Sequence, residues 1–458
     1  MLKSKGVDVT GGPLYKSILK YAIPIMLASF VQGIFNAADL AVVGNMADEV
    51  SVASVGATSI VVSLLVNSFV GLSIGVNALL ARCIGKKDDA RTSKVVNTAM
   101  LFSIALGFFV MILCFIIAEP VLRLMDCPEN CFDGAVLYMR IYAFGLPALM
   151  IYNFGASIIR TTGDSQKPFM YIVLAGILNV VLNLILCLIL SQKVAAVAIA
   201  TIASQYLSCL LVLIHLHRLD GPCSFKLNRR LSFSGGELLR ILKIGAPCAF
   251  QSSLYSLSNL QMGAALNSYG AEAIAGNSAA TTMENAVSSF CTGFNAAIVP
   301  FVGQNLGSGN KQRVKKSILY CVITSIVIGL VLSWGIFLFR YEILGVYLPS
   351  SEVAVEFGVE RMKCVLLLYP FAALFNACTN AMQAFGYSFI PMMNSILTIL
   401  VFRLAWMQFI YPPLNEANRN ILNLYICYSF SWTLNMIAQA TMFIIVYSRY
   451  KRGKLKDL

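Results

Sequence analysis

Apolar residues run in long blocks along the whole chain, separated by short polar stretches. A helix needs about 20 apolar residues to cross a bilayer. On that scale the pattern predicts twelve spans, at 16–43, 51–81, 94–119, 136–159, 169–190, 194–215, 240–266, 276–304, 315–339, 362–384, 392–412 and 420–448. The polar opening "MLKSKGVDVTGG" is followed by an apolar segment too long for a signal-peptide core, with no small-residue cleavage site. That segment reads as the first span.

Composition agrees with the pattern. Of 458 residues, 58% are hydrophobic and 12% charged, against about 25% charged in a soluble domain. The expected class is an all-α integral membrane protein. The net charge of +13 does not point to nucleic acid, because no basic stripe with interleaved aromatics is present. Most Lys and Arg instead sit at the two ends and in or beside the loops after even-numbered spans, as in Arg82, Lys86, Lys87, Arg91 and Lys94 after span 2. Acids gather on the other side, at "ADE" 47–49 and at Glu352, Glu356 and Glu360. This asymmetry places both termini in the cytoplasm. The 13 cysteines lie mostly singly in apolar runs, where thiols act as small apolar fillers. Only Cys127 and Cys131 in "DCPENC" lie close enough to pair or to share a metal.

The halves repeat. "LKYAIPIML" at 19–27 matches "LKIGAPCAF" at 242–250, and "RTTGDSQKP" at 160–168 matches "QAFGYSFIP" at 383–391. "GLSIGVNALLARCIGKKDDARTSK" at 71–94 matches "GFNAAIVPFVGQNLGSGNKQRVKK" at 293–316, which aligns Gly71 with Gly293 and Arg91 with Arg313. Pro24 to Pro168 and Pro247 to Pro391 are both 144 residues, a spacing hard to reach by chance. Six spans per repeat is an even number, so both repeats cross in the same sense. The predicted architecture is two six-helix lobes, 1–217 and 239–458, joined by a cytoplasmic linker at 218–238 and related by a pseudo-twofold axis along the membrane normal.

Asp39 stands in the apolar run of span 1, where a charge at the bilayer centre costs roughly 2.5–3.5 kcal/mol on insertion scales. Two readings are open: a residue wetted at the interface, or a functional carboxylate. Asn179 and Asn183 in "GILNVVLNLIL" are four apart and share a helix face. By helix rise they stand about 15 and 21 Å up span 5, and Thr201 about 10 Å below the opposite surface in span 6. Asp39, Asn179, Asn183 and Thr201 therefore come to similar depth in the N-lobe. A carboxylate, two amides and a hydroxyl are hard donors suited to Na⁺, or a setting for a protonatable Asp.

Further candidates are polar residues inside spans. Glu284 reads either as an interface residue or as a cleft carboxylate that attracts cations. Gln251, Asn259 and Gln261 lie in span 7, Asn153 in span 4 and Gln383 in span 10. Arg403 in span 11 needs a partner within the protein, and Arg140 is a second intramembrane base. Pro24 lies about eight residues into span 1, where the lost backbone donor permits a kink. Abundant Met, Phe and Tyr (18, 28 and 19) suit a promiscuous apolar wall.

Taken together, the 6+6 repeat, the Asp of "NAADLAVVG", "RTTGDSQKP" after span 4 and "GQNLGSGN" after span 8 resemble the multidrug and toxin extrusion (MATE) family. The resemblance covers essentially the whole chain. It implies export of amphipathic, often cationic drugs or toxins coupled to inward Na⁺ or H⁺, with no other cofactor. It also implies a multi-pass monomer in the plasma (inner) membrane and a cation site at the N-lobe positions just named. Many members carry a second Asp where this chain has Asn183, and some a Glu in span 7. With one carboxylate, either ion leaves the site neutral, so the choice between Na⁺ and H⁺ stays open.

Rival functions fit less well. A flippase of lipid-linked precursors has more spans and a cleft rich in bases. An intramembrane enzyme is disfavoured by only two histidines, His215 and His217, and by the lack of HExxH. No Walker A motif supports ATP-driven transport.

Overall fold

The computed structural model describes residues 6–46, 49–226, 232–349, 351–418 and 420–454. Within these, the side chains of 36–41, 43, 45–46, 256–257, 260–261 and 416–418 lie outside the description. The described chain is helical throughout. In order come α1 (Leu14–Met46), α2 (Glu49–Lys86), α3 (Asp89–Leu124), α4 (Glu129–Ala143), α5 (Leu146–Thr161), α6 (Gln166–Ile189), α7 (Lys193–Arg218) and α8 (Gly235–Asn267). The second half holds α9 (Ala271–Gly307), α10 (Lys311–Leu338), α11 (Arg340–Tyr347), α12 (Glu352–Cys364), α13 (Tyr369–Ala384), α14 (Phe389–Ser395), α15 (Phe402–Ala405), α16 (Tyr411–Asn418) and α17 (Leu422–Lys451). Two π-helical turns, Ile396–Val401 and Trp406–Ile410, join α14 to α16 into one long segment.

Among the described residues, ten spans are long and apolar enough to cross a membrane, and the pair α4–α5, bent by 47°, makes an eleventh. The twelfth segment, α8, is 33 residues long but carries Ser, Asn and Gln through its middle. Large apolar side chains such as Leu188, Ile116 and Phe409 point outward, as a lipid-facing surface requires.

Span 4, expected as one helix at 136–159, is broken. Pro147 opens α5 directly after the bend, because proline has no N–H to continue the preceding helix and crowds the residue before it. The second repeat breaks at the equivalent place, where Pro370 opens α13 after the turn Leu366–Leu368. Span 10, expected from residue 362, therefore begins earlier, with α12 at Glu352.

The chain divides into two compact units. One comprises Met1–Asp8 and Leu27–Ala249, the other Val9–Met26 and Phe250–Leu458. Each takes in the first part of the other repeat's leading helix, and the changeover falls two residues past Pro24 and Pro247. In the first unit, Arg91 holds the start of α8 by a two-pronged ion pair to Glu237, at 3.0 and 3.2 Å. In the second unit, its repeat counterpart Arg313 donates to the carbonyls of Val9, Gly11 and Gly12 just ahead of α1, at 2.8–3.2 Å. Small residues let these helices meet. A Cβ on Gly71 would overlap the backbone of Ala249, and one on Gly293 would overlap that of Ala22. The turns match as well. Asp88 and Asn310 cap α3 and α10 by accepting from the Arg91 and Arg313 amides, both at 3.0 Å.

The core of the second unit buries Ile18, Tyr21, Ala22 and Ile25 of α1 against Phe294, Ile298 and Phe301 of α9. The broken span sits at the centre of each unit: α4–α5 pack on α2, α3 and α7, and α12–α13 on α9, α10 and α17. The expected linker 218–238 overlaps the beginning of α8 at Gly235. Within it Cys223 is buried, and burial pushes its thiol up to about 12, so it stays protonated at neutral pH.

A candidate site in each unit

A cavity of about 410 Å³ lies inside the first unit. Asn179 of α6 and Thr201 of α7 line it, with Gln32 of α1, Asn67 of α2, Tyr142 of α4 and Gln205 of α7. Asn183, one turn from Asn179, is fully buried and donates its Nδ2 to Asn179 Oδ1 at 3.3 Å. The four-residue spacing thus does put both amides on one face. Thr201 Oγ1 donates back to the Val197 carbonyl at 2.9 Å. Gln205 donates to the Tyr142 hydroxyl at 3.3 Å. The structure therefore brings Asn179 and Thr201 onto one cavity, with Asn183 bonded to Asn179 but not in the lining. Asp39 lies on α1, and its side chain falls outside the described residues, as does that of Gln261 on α8. No charged side chain lines this cavity among the described residues. Amide, hydroxyl and phenol oxygens in one chamber fit a hard monovalent cation. Gln32, Asn67 and Gln205 were missed from the sequence, because lone polar residues in long apolar runs carry no spacing signal.

A second cavity, of about 170 Å³, lies inside the second unit. Arg361 of α12 lines it with Asn259, Asn277, Thr281, Tyr425 and Tyr428. Arg361 forms a buried, two-pronged ion pair with Glu284, Nε to Oε1 and Nη2 to Oε2, both at 2.8 Å. Its Nη1 donates to Asn277 Oδ1 at 2.8 Å. Glu284 is thus no free carboxylate for cations, because both of its oxygens are engaged by Arg361. Arg403 donates Nε to Ser431 Oγ at 3.1 Å, and Nη1 to Ser258 Oγ and Asn259 Oδ1 at 3.2 and 3.1 Å. Both guanidiniums stand over the Tyr428 ring, at 5.0 Å for Arg361 and 4.2 Å for Arg403. Arg361 escaped the sequence reading because it sits one residue before the expected start of span 10, next to an acidic loop.

The remaining candidates line neither cavity. Gln251 is buried and donates to Ser395 Oγ at 2.8 Å. Asn153 donates to the carbonyl one turn back, Leu149, at 2.8 Å. Gln383 is buried in α13, and Arg140 pairs with Glu119 at 3.4 Å. The Cys127 and Cys131 sulfurs lie 3.8 Å apart as free thiols. Pro24 lies inside α1, which runs on through it.

Comparison with known proteins finds relatives along most of the chain. The chain is 25% identical over 394 residues to the probable multidrug resistance protein YoeA of Bacillus subtilis, covering 84% of each. It is 24% identical over 379 residues to a protein of Shewanella oneidensis named FAD transporter, covering 81% of this chain and 82% of that one. Among solved structures, an outward-facing multidrug resistance MATE family transporter of the MOP superfamily superposes with a TM-score of 0.88, at 22% identity over 99% of both chains. The MatE family profile matches residues 24–185 and 247–407, one block in each repeat. With most of its length so matched, the chain belongs to the MatE family of membrane transporters, not to the enzymes.

Proposed function

We propose that this transporter exports amphipathic organic compounds across the plasma membrane by secondary antiport, in exchange for inward Na⁺ or H⁺. The single observation that carries the reading is the polar cavity lined by Asn179 and Thr201, with Asn183 bonded to Asn179 behind it. It supplies neutral oxygen ligands at one depth, and Asp39 on α1 supplies the carboxylate that the coupling ion neutralises. Loading that group changes the relative stability of two access states, which is what coupling requires. The protein works as a monomer, with both termini cytoplasmic and its two lobes alternating access.

The test is dye efflux from proteoliposomes holding the purified chain, with Na⁺ and pH gradients imposed separately. Export driven by one gradient and collapsed by its ionophore supports antiport and names the ion. Export indifferent to both gradients overturns it.

A further inference from the structure

The cavity of the second unit holds more positive charge than its acids balance. Arg361 and Arg403 are 7% and 2% exposed, and guanidiniums keep their charge when buried. One carboxylate, Glu284, lies with them, and Arg361 takes both of its oxygens. Arg403 meets only neutral oxygens, those of Ser431, Ser258 and Asn259, among the described residues. A buried charge without a counter-charge is held at a cost. Hydrogen-bond counting adds to this. A guanidinium has five N–H donors, and Arg361, which lines the cavity, has three of them engaged by Glu284 and Asn277. Arg403 stands directly behind the lining, bonded to Asn259 and stacked on Tyr428, which both face the cavity.

We propose that this cavity takes the oxyanion of a ligand, a carboxylate or a phosphate, through the free N–H groups of Arg361. Arg403 supplies the uncompensated charge, and Tyr425 and Tyr428 flank the group that carries the oxyanion. At about 170 Å³ the cavity is smaller than the roughly 300–1,000 Å³ of whole-ligand sites, so it holds the charged group and leaves the body outside. The site selects an anionic or zwitterionic substrate class, where the family resemblance implied cations. The consequence for transport rests on the export reading above; the binding does not. The same oxyanion could arrive on a soluble organic anion or on a lipid headgroup.

The test uses two dyes with one xanthene ring and opposite charge, carboxyfluorescein and rhodamine 6G. Binding is read by fluorescence anisotropy on the full chain in phosphatidylcholine nanodiscs. Carboxyfluorescein should bind, and Arg403→Gln should weaken it about tenfold or more, the scale for losing a charged partner, while moving rhodamine 6G less than about twofold. Gly263→Leu gives an independent arm. Gly263 lines the cavity and a Cβ there meets nothing within 4 Å, so the added side chain has room to enter the cavity. It should also abolish carboxyfluorescein binding. Adding phosphatidylglycerol separates the sources: displacement of the dye identifies a lipid headgroup, and no displacement identifies a soluble anion. No carboxyfluorescein binding to the wild type, or binding unmoved by both variants, overturns the proposal. Gradient-driven rhodamine efflux without anion binding sinks this inference alone. Anion binding without gradient-driven efflux of either dye sinks the export reading alone.

Discussion

The first unit encloses a cavity with no charged lining among its described residues, while the second encloses a smaller one walled by a guanidinium with another behind it. Yet the frames match. Both units break the central span at an equivalent proline, cap an equivalent helix with Asp88 or Asn310, and bring a glycine, Gly71 or Gly293, onto the neighbouring helix. The difference shows which constraints a repeat keeps. Turn geometry and close helix contact are needed twice, because each unit must fold. Side chains facing a cavity are free to diverge, so one cavity can be lined by neutral oxygens while the other gathers fixed positive charge.

The largest effect is expected at Asp39, which would set the first unit apart by a switchable charge. Asp39→Asn keeps size and hydrogen bonding but removes that charge. Gradient-driven efflux should fall to background while dye binding persists. Wild-type efflux would make Asp39 an interface residue and leave the first cavity without a candidate carboxylate.

Next comes the ion pair of the second unit. Glu284→Gln leaves Arg361 buried without its counter-charge, which costs about 3–5 kcal/mol when one partner of a buried pair is removed. The double variant Glu284→Gln, Arg361→Gln should recover most of this in denaturant titrations monitored by tryptophan fluorescence. A single variant as stable as the double would show that the pair carries no coupling.

The glycines probe the sameness of the frames. Gly71→Val and Gly293→Val each force a side chain into the backbone of a neighbouring helix. Each should cost about 1–3 kcal/mol, the usual scale of overpacking, and the two losses should be similar in thermal unfolding. A large loss at one alone would show that the packing, and not only the chemistry, has diverged.

Much of this was legible in the sequence. Apolar blocks gave the spans, and the shared 144-residue spacing between prolines gave the repeat. The Asn179–Asn183 contact followed from helical spacing alone. Three features were not legible, each for a physical reason. The break at Pro147 was hidden because hydropathy runs on across it. Arg361 meets Glu284 across 77 residues, and no periodicity links positions that far apart. The sharing of α1 and α8 between units was invisible because a helix that changes partner midway has the same local pattern as one that does not.

The smallest expected effect is at Thr201, and it tests whether the first cavity is a ligand sphere or only a polar wall. Thr201 Oγ1 spends its hydrogen on the Val197 carbonyl, one turn back at 2.9 Å, so the hydroxyl has only lone pairs to offer a cation. Thr201→Ala removes one neutral ligand and no charge. The backbone carbonyl it frees still takes part in the helix ladder, so unfolding should move by no more than about 0.5 kcal/mol. Coupling should move more. Losing one neutral contact is worth about 0.5–1.5 kcal/mol, which raises the half-saturating concentration of the coupling ion roughly two- to tenfold and leaves the maximal rate unchanged. The measurement is the Na⁺ or proton dependence of dye efflux in proteoliposomes. A midpoint identical to wild type would place Thr201 in the wall and restrict the ion's ligands to Asp39 and the amides. A fall in maximal rate with no change in midpoint would instead tie Thr201 to the passage of the dye.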